Sequence, residues 1–385
     1  MSIDAFPRGG SAIVSGATYG MGEAPGYDSM DLAVHASLKA LDQVGLTPAD
    51  VDGLFVALPS DMMSQLSMAQ YLGIHPKVMS NNRTGGSSFQ TYAHMAALAL
   101  AVGECDVAVI AYGSNQRTST GKLISSTKPS IYQAPYKPML PISAYALAAS
   151  RHMHQYGTTR EQLAEVAVAA RKWANLNPDA FMHGELTIED CLSARMISDP
   201  FTKNDCCLVT DGAAAVVMTR TDRAKDLAKR PAYLLGAGSA TTHMDIASMV
   251  DLTVSAAVES GKRAYAHAGV GPKDIDVVEV YDAFTINTIL FLEDLGFCPK
   301  GEGGRFVSGG AIAPGGKLAV NTNGGGLSCV HPGMYGLFTM VEAMEQVMGI
   351  AGERQVKDVN LAISHGNGGF LSSQATLILG SEATL

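Results

Sequence analysis

Two histidines set among glycines are the side chains of this sequence best placed for chemistry. His331 lies in "NTNGGGLSCVHPGMYG" (Asn321 to Gly336), and His365 lies in "SHGNGGF" (Ser364 to Phe370), where the apolar run "VNLAI" ends. Three consecutive glycines in the first segment allow close approach of a ligand to the backbone. His331-Pro332 reads as a helix start, because proline suits the first helical turn. The helix dipole there disfavours an imidazolium and leaves a neutral ring able to donate a hydrogen bond. A capping histidine in a tight turn would have the same local sequence. A third segment, "VEVYDAFTINT" (Val278 to Thr288), places Tyr281 and Asp282 at the end of a predicted strand. Asp282 reads as the N-cap of the next helix, and Tyr281 as either a pocket phenol or a half-buried strand aromatic. Asp211-Gly212 in "DCCLVTDGAAAVVMT" reads as turn chemistry.

A fourth segment, "SNNRTGGSSFQ" (Ser80 to Gln90), follows "GIHPKVM" and leads into the helical pattern "FQTYAHMAALALAVG". It is a predicted strand-to-helix junction with glycines at the turn. Such junctions seat nucleophiles and anions, yet this one offers only glycines and serines.

The elements that position these residues recur. "MDLAVHASLKALDQVGL" followed by "TPADVDGLFVAL" resembles "VSAAVESGKRAYAHAGV" followed by "GPKDIDVVEVYDAF", with Asp50-Val51-Asp52 matching Asp274-Ile275-Asp276. "GGSSFQTYAHMAALALAVGECDVAVIAYGS" likewise resembles "GGGLSCVHPGMYGLFTMVEAMEQV…VKDVNLAISHGN", with strands opening at Asp106 and Asp358. Two matches in one order indicate a duplicated α/β chain with helix-covered, mainly parallel sheets. The expected halves are residues 1–229 and 230–385, the first carrying an inserted region at about 113–200. That insertion follows a strand end, where α/β folds place ligand loops.

Composition excludes several classes. The net charge of −9 and the lack of a basic run argue against nucleic-acid binding. No apolar run approaches the ~20 residues that span a bilayer, and the first residues lack the pattern of a signal peptide, so a cytoplasmic location is expected. The six cysteines are scattered without C-x-x-C spacing, which suggests neither disulfide framework nor zinc site. No Walker A loop, G-x-S-x-G elbow, H-E-x-x-H or EF-hand pattern is present.

Taken in order, these segments resemble the thiolase superfamily over nearly the whole chain, and most closely its sterol-carrier, lipid-transfer-type branch. "DGAAAVVM", "NTNGGGLSCVHPGMYG" and "SHGNGGF" resemble that family's D-G-A-A-A, N-x-x-G-G-x-x-x-x-H-P-x-x-x-x-G and C-terminal C-x-G-type blocks. The resemblance implies a five-layer α-β-α-β-α fold with two mixed sheets. It also implies a homodimer and coenzyme A thioesters as substrates, with no separate cofactor and no metal.

One departure governs the expected chemistry. The family's nucleophilic cysteine stands in a block like N-R-x-C-G-S-S-x-Q, and "NRTGGSSFQ" has Gly85 in its place. Glycine cannot form an acyl-enzyme. The resemblance further sets His365 where the proton-shuttling cysteine would be, and Tyr281 where an asparagine would hold an oxyanion-hole water. Tyr335, four residues beyond His331, shares its face if that segment is helical. Gly85, Ser87, Asn323, Gly325 and Gly368 are the expected substrate-binding positions.

His331 as a donor to a thioester oxygen, His365 as a proton shuttle and Tyr281 or Tyr335 as base suit retro-aldol cleavage of a β-hydroxyacyl-CoA. The thiolase-like branch that the chain resembles includes such aldolases, which act on steroid side chains and often pair with a small OB-fold, zinc-ribbon partner protein. The alternatives are a thiolase or acyltransferase using Cys329 or Ser87, and a non-catalytic acyl-CoA or lipid-binding subunit. Arg83, Lys122 and Lys317 are the basic groups considered for the CoA phosphates, and Tyr132 and Tyr136 of the insertion for the acyl group.

Overall fold

The computed structural model describes residues 6–122 and 129–385. Residues 1–5 of the N-terminal stretch and 123–128 of the insertion lie outside the described residues.

The first half contains β1 (Ser11–Gly22), α1 (Ser29–Asp42), β2 (Gly53–Val56), α2 (Ser64–Leu72), β3 (Val78–Ser80), α3 (Ser88–Ala101) and β4 (Val107–Ser114). The inserted region follows, with α4 (Gln116–Thr120), α5 (Ile142–Tyr156), α6 (Arg160–Ala174), α7 (Ile188–Ser193) and the small pair β5 (Met196–Ser198) and β6 (Phe201–Thr202). β7 (Asp211–Arg220) and α8 (Thr221–Leu227) lead to the second half. That half holds β8 (Ala232–Thr241), α9 (Ala257–Ala268), β9 (Val277–Val280), α10 (Thr285–Asp294) and α11 (Gly303–Val307). It ends with β10 (Ala319–Val320), α12 (Gly336–Met348), β11 (Leu361–Gly368) and β12 (Ser373–Gly380).

The strand order is β10-β9-β11-β12-β8-β1-β7-β4-β2-β3. The two expected sheets are its five-stranded halves, joined edge to edge where Ala12 faces Tyr233 and Ile13 faces Ala232 in antiparallel β1 and β8. Parallel ladders lie at the outer ends, β3-β2-β4 and β10-β9-β11. The middle strands run antiparallel. α3 and α12 pack on each other and on strands of both halves, while α1 covers β4, β7 and β1, and α9 covers β8 and β12. These are the five layers. Every residue of β4 is buried, as expected of a strand with both faces covered.

The repeat extends to side-chain detail. Asp52 Oδ1 accepts the backbone N–H groups of Asp106 and Val107, at 2.8 and 2.9 Å. Asp276 Oδ2 accepts those of Asn360 and Leu361 at the same distances. Each aspartate thus pins the start of the neighbouring parallel strand. This register pairs Asp106 with Asn360, two residues beyond the Asp358 expected from sequence.

Candidate active site

The junction loops of both halves converge on one cavity of about 170 Å³. Its walls come from Gly85 and Gly86 ahead of α3, from Tyr281, Ala283 and Phe284 between β9 and α10, from His331, Gly333 and Met334 ahead of α12, and from Asn367 to Phe370 at the end of β11 and just beyond it. Pro141 and Tyr145, at the start of α5, close one side.

Gly85 is where the family nucleophile would stand. Its φ is +87°, in the left-handed region, and a β-carbon there would lie 2.8 Å from Gly368 Cα. The seat is filled by the backbone of the opposite half. Beside it, a β-carbon on Gly86 would overlap the Tyr281 ring at Cε2. Ser87 is fully buried and bonds to Ser373 Oγ at 2.9 Å, outside the cavity.

Tyr281 and His331 form the polar centre. The Tyr281 hydroxyl lies 3.0 Å from His331 Nε2 and 3.3 Å from the Gly333 carbonyl, and the two rings meet edge to face. Burial pushes the His331 pKa down to about 4 and holds the Tyr281 phenol well above its usual value. His331 is therefore neutral at pH 7, but its Nδ1 has no hydrogen-bond partner among the described residues. The expected reason for its neutrality was a helix dipole. In fact α12 starts at Gly336, so desolvation is the cause.

Other expected site residues lie behind the cavity wall. His365 is fully buried, with Nδ1 2.9 Å from Thr376 Oγ1 and Nε2 2.9 Å from Gln374 Oε1. Burial lowers its pKa to about 3. Both ring nitrogens are engaged, and the ring packs on Phe291 with centroids 4.6 Å apart. Tyr335 is also fully buried and donates to Asn323 Oδ1 at 2.8 Å. Asn323 Oδ1 accepts the Gly325 N–H as well, at 2.7 Å. Tyr335, Asn323 and Gly325 thus shape the loop beneath His331 without lining the cavity, whereas Gly85 and Gly368 do line it.

Asp282 does not cap α10. Its carboxylate accepts the Gly326 N–H at 2.6 Å and the Leu327 N–H at 3.4 Å, bracing the turn before His331. Burial raises its pKa to about 7 against those bonds. Asp211 opens β7 rather than forming a turn. It is fully buried and accepts the N–H groups of Arg117, Thr118 and Ala24.

Several cavity residues were not singled out from sequence: Tyr112, Tyr145, Cys207, Phe284 and Asn367. The Asn367 amide donates to the Tyr145 hydroxyl at 2.8 Å, and Tyr145 packs against Phe284 with centroids 4.7 Å apart. Tyr132 and Tyr136 are instead 82% and 86% exposed. Burial raises the Cys207 and Cys329 thiols far from thiolate, and Cys329 lies outside the cavity, 3.5 Å from Asn177 Nδ2. Of the basic groups considered, Arg83 reaches the cavity; Lys317 packs over Phe306. Among the described residues, no cluster of side chains suits a metal ion, and no helix is long and apolar enough to cross a membrane.

The molecule is a five-layer α/β fold with its cavity where the loops of the two five-stranded halves meet. Residues 238–381 match the thiolase C-terminal domain-like family. The acetyl-CoA acetyltransferase of Methanothermobacter thermautotrophicus is 34% identical over 355 residues, 88% of this chain and 91% of that one. A steroid side-chain-cleaving aldolase of Thermomonospora curvata is 33% identical over 374 residues, 93% and 94% of the two chains. A solved structure titled Ltp2-ChsH2(DUF35) aldolase superposes with a TM-score of 0.89 at 33% identity, over 97% of this chain and 98% of that one. The chain belongs to the thiolase superfamily.

Proposed function

We propose that this protein is a CoA-dependent carbon–carbon lyase that cleaves β-hydroxyacyl-CoA esters by a retro-aldol reaction. The observation that carries this reading is Gly85, whose place offers neither a thiol nor room for one. The relatives named as aldolases support it.

The proposed chemistry needs no covalent intermediate. The β-hydroxyl proton passes to the Tyr281 oxygen as the Tyr281 proton moves to His331 Nε2, 3.0 Å away. The Cα–Cβ electron pair flows into the thioester, giving an enolate and a ketone or aldehyde. The proton then returns by the same path to the α-carbon, so the products are a carbonyl compound and a shorter acyl-CoA. A neutral His331 suits this role, since a protonated ring cannot accept. The buried Tyr335 would support the Tyr281–His331 pair by packing. His365 would act through its neighbours.

The halves are taken as residues 1–229 and 230–385. The reading includes a homodimer and a small partner protein of the kind present in the aldolase complex structure. Arg83 is assigned to the CoA side of the cavity. Incubation with a panel of β-hydroxyacyl-CoA esters, alone and with such a partner, should release equal amounts of carbonyl product and shorter acyl-CoA. Binding of the esters without cleavage under either condition would favour an acyl-CoA-binding subunit instead.

A further inference from the structure

An enolate needs donors at the thioester oxygen, and the proton path through Tyr281 and His331 leaves that oxygen unserved. The other polar side chains lining the cavity narrow the choice. Tyr112 donates to the Pro332 carbonyl and accepts the Met334 N–H, so it is spent holding that loop. Arg83 is exposed and donates to the Pro59 carbonyl. Cys207 offers only a weak S–H donor. Asn367 and Tyr145 remain, each 3% exposed.

Their orientation is imposed from behind. Gln374 Nε2 donates to Asn367 Oδ1 at 2.7 Å, and Asn367 Nδ2 donates to the Tyr145 oxygen at 2.8 Å. The Tyr145 hydroxyl donates to the Gly369 carbonyl at 2.9 Å. Gln374 is itself fixed, because its Oε1 faces His365 Nε2 at 2.9 Å. The chain has one consistent direction. His365 carries its proton on Nε2 and accepts from Thr376 at Nδ1. A flipped Asn367 amide would set two donors against each other. The amide nitrogen carries a second hydrogen, which can serve a ligand in the cavity.

We infer that the Asn367 amide and the Tyr145 hydroxyl form the donor pair for the thioester carbonyl oxygen, and that Gln374 and His365 are positioning residues that aim this pair. The assignment rests on the retro-aldol reading for its catalytic meaning. As the Cα–Cβ bond breaks, negative charge grows on the thioester oxygen and both donors strengthen, while no proton is transferred to it. Tyr145 turns from Gly369 toward the oxygen, and Asn367 uses its second hydrogen.

The test compares binding of a saturated acyl-CoA thioester with that of its alkyl-CoA thioether, which lacks the carbonyl oxygen. The wild type should prefer the thioester, and Tyr145→Phe and Asn367→Leu should each cut that preference about tenfold, the worth of one good hydrogen bond. Gln374→Leu should do the same without touching the ligand. General loosening of the site would weaken both ligands together and leave the ratio intact. An unchanged ratio in Tyr145→Phe, which keeps the ring against Phe284, would overturn the inference even if Asn367→Leu failed to fold. Neither ligand is cleaved, so the result is independent of whether β-hydroxyacyl-CoA turnover is found.

Discussion

Gly86 and Tyr281 are packed so closely that the tyrosine ring occupies the space a side chain at 86 would need. The glycine of one half therefore fixes the phenol of the other, and the phenol meets His331 at 3.0 Å. Gly86→Ala should displace the ring and lower kcat/KM for β-hydroxyacyl-CoA cleavage at least tenfold, on the order of one lost catalytic hydrogen bond. Retention of wild-type kcat/KM would show that Tyr281 is not the group that matters.

Restoring the missing nucleophile should fail. Gly85→Cys places a β-carbon against Gly368 Cα at 2.8 Å and forces a side chain onto φ +87°. The expected cost is about 1–3 kcal/mol of stability. No acyl adduct should appear by intact mass after incubation with acetyl-CoA. A stoichiometric adduct on the thiol that Gly85→Cys introduces would mean the turn relaxes more readily than its packing implies.

Asp282→Asn should loosen the turn that carries His331. The carboxylate accepts from Gly326 and Leu327; an amide must present nitrogen to one of them. Reduced turnover is expected, because the turn that carries His331 must shift to accommodate the amide. Unchanged turnover would contradict the bracing role.

Acid stability reports the buried histidines. The His365 ring has a folded pKa of about 3 and His331 one of about 4, both below the ordinary 6.5. Between those limits the unfolded chain binds more protons, so their contribution to stability is intact above pH 6.5 and falls as pH drops toward 4. Each contributes a slope of about 1.4 kcal/mol per pH unit in that window. Asp282, raised to about 7, has the opposite sign: its neutral form favours the fold below pH 4, and that advantage is lost as pH rises through 7. Comparing variant with wild type isolates one group. His365→Gln should lose stability less steeply than the wild type between pH 6.5 and 5 in urea titrations. Parallel curves would show that His365 protonates in the folded protein.

The duplication and its layers were legible because Asp52 and Asp276 mark the same strand junction twice, a local pattern that survives divergence. Depth along a strand was not legible. His365 and Asn367 share a strand face, yet His365 sits opposite Thr376 inside the molecule while Asn367, opposite Gln374, reaches the cavity. His331 was found for its glycine-rich setting although the helix lies beyond it. Tyr145 was missed because the inserted region has no counterpart in the repeat, so self-similarity was silent about what it brings to the site.

In the proposed reaction Tyr281 drives cleavage of a carbon–carbon bond without a covalent enzyme intermediate. The most direct measurement is a single turnover of a cleaved β-hydroxyacyl-CoA, followed by product analysis and intact protein mass, for wild type and Tyr281→Phe. The expected result is equimolar carbonyl product and shorter acyl-CoA, no mass added to the protein, and a rate at least about a hundredfold lower in the variant, as for loss of a general base. An acyl adduct on the protein, or an unchanged rate in Tyr281→Phe, would contradict it.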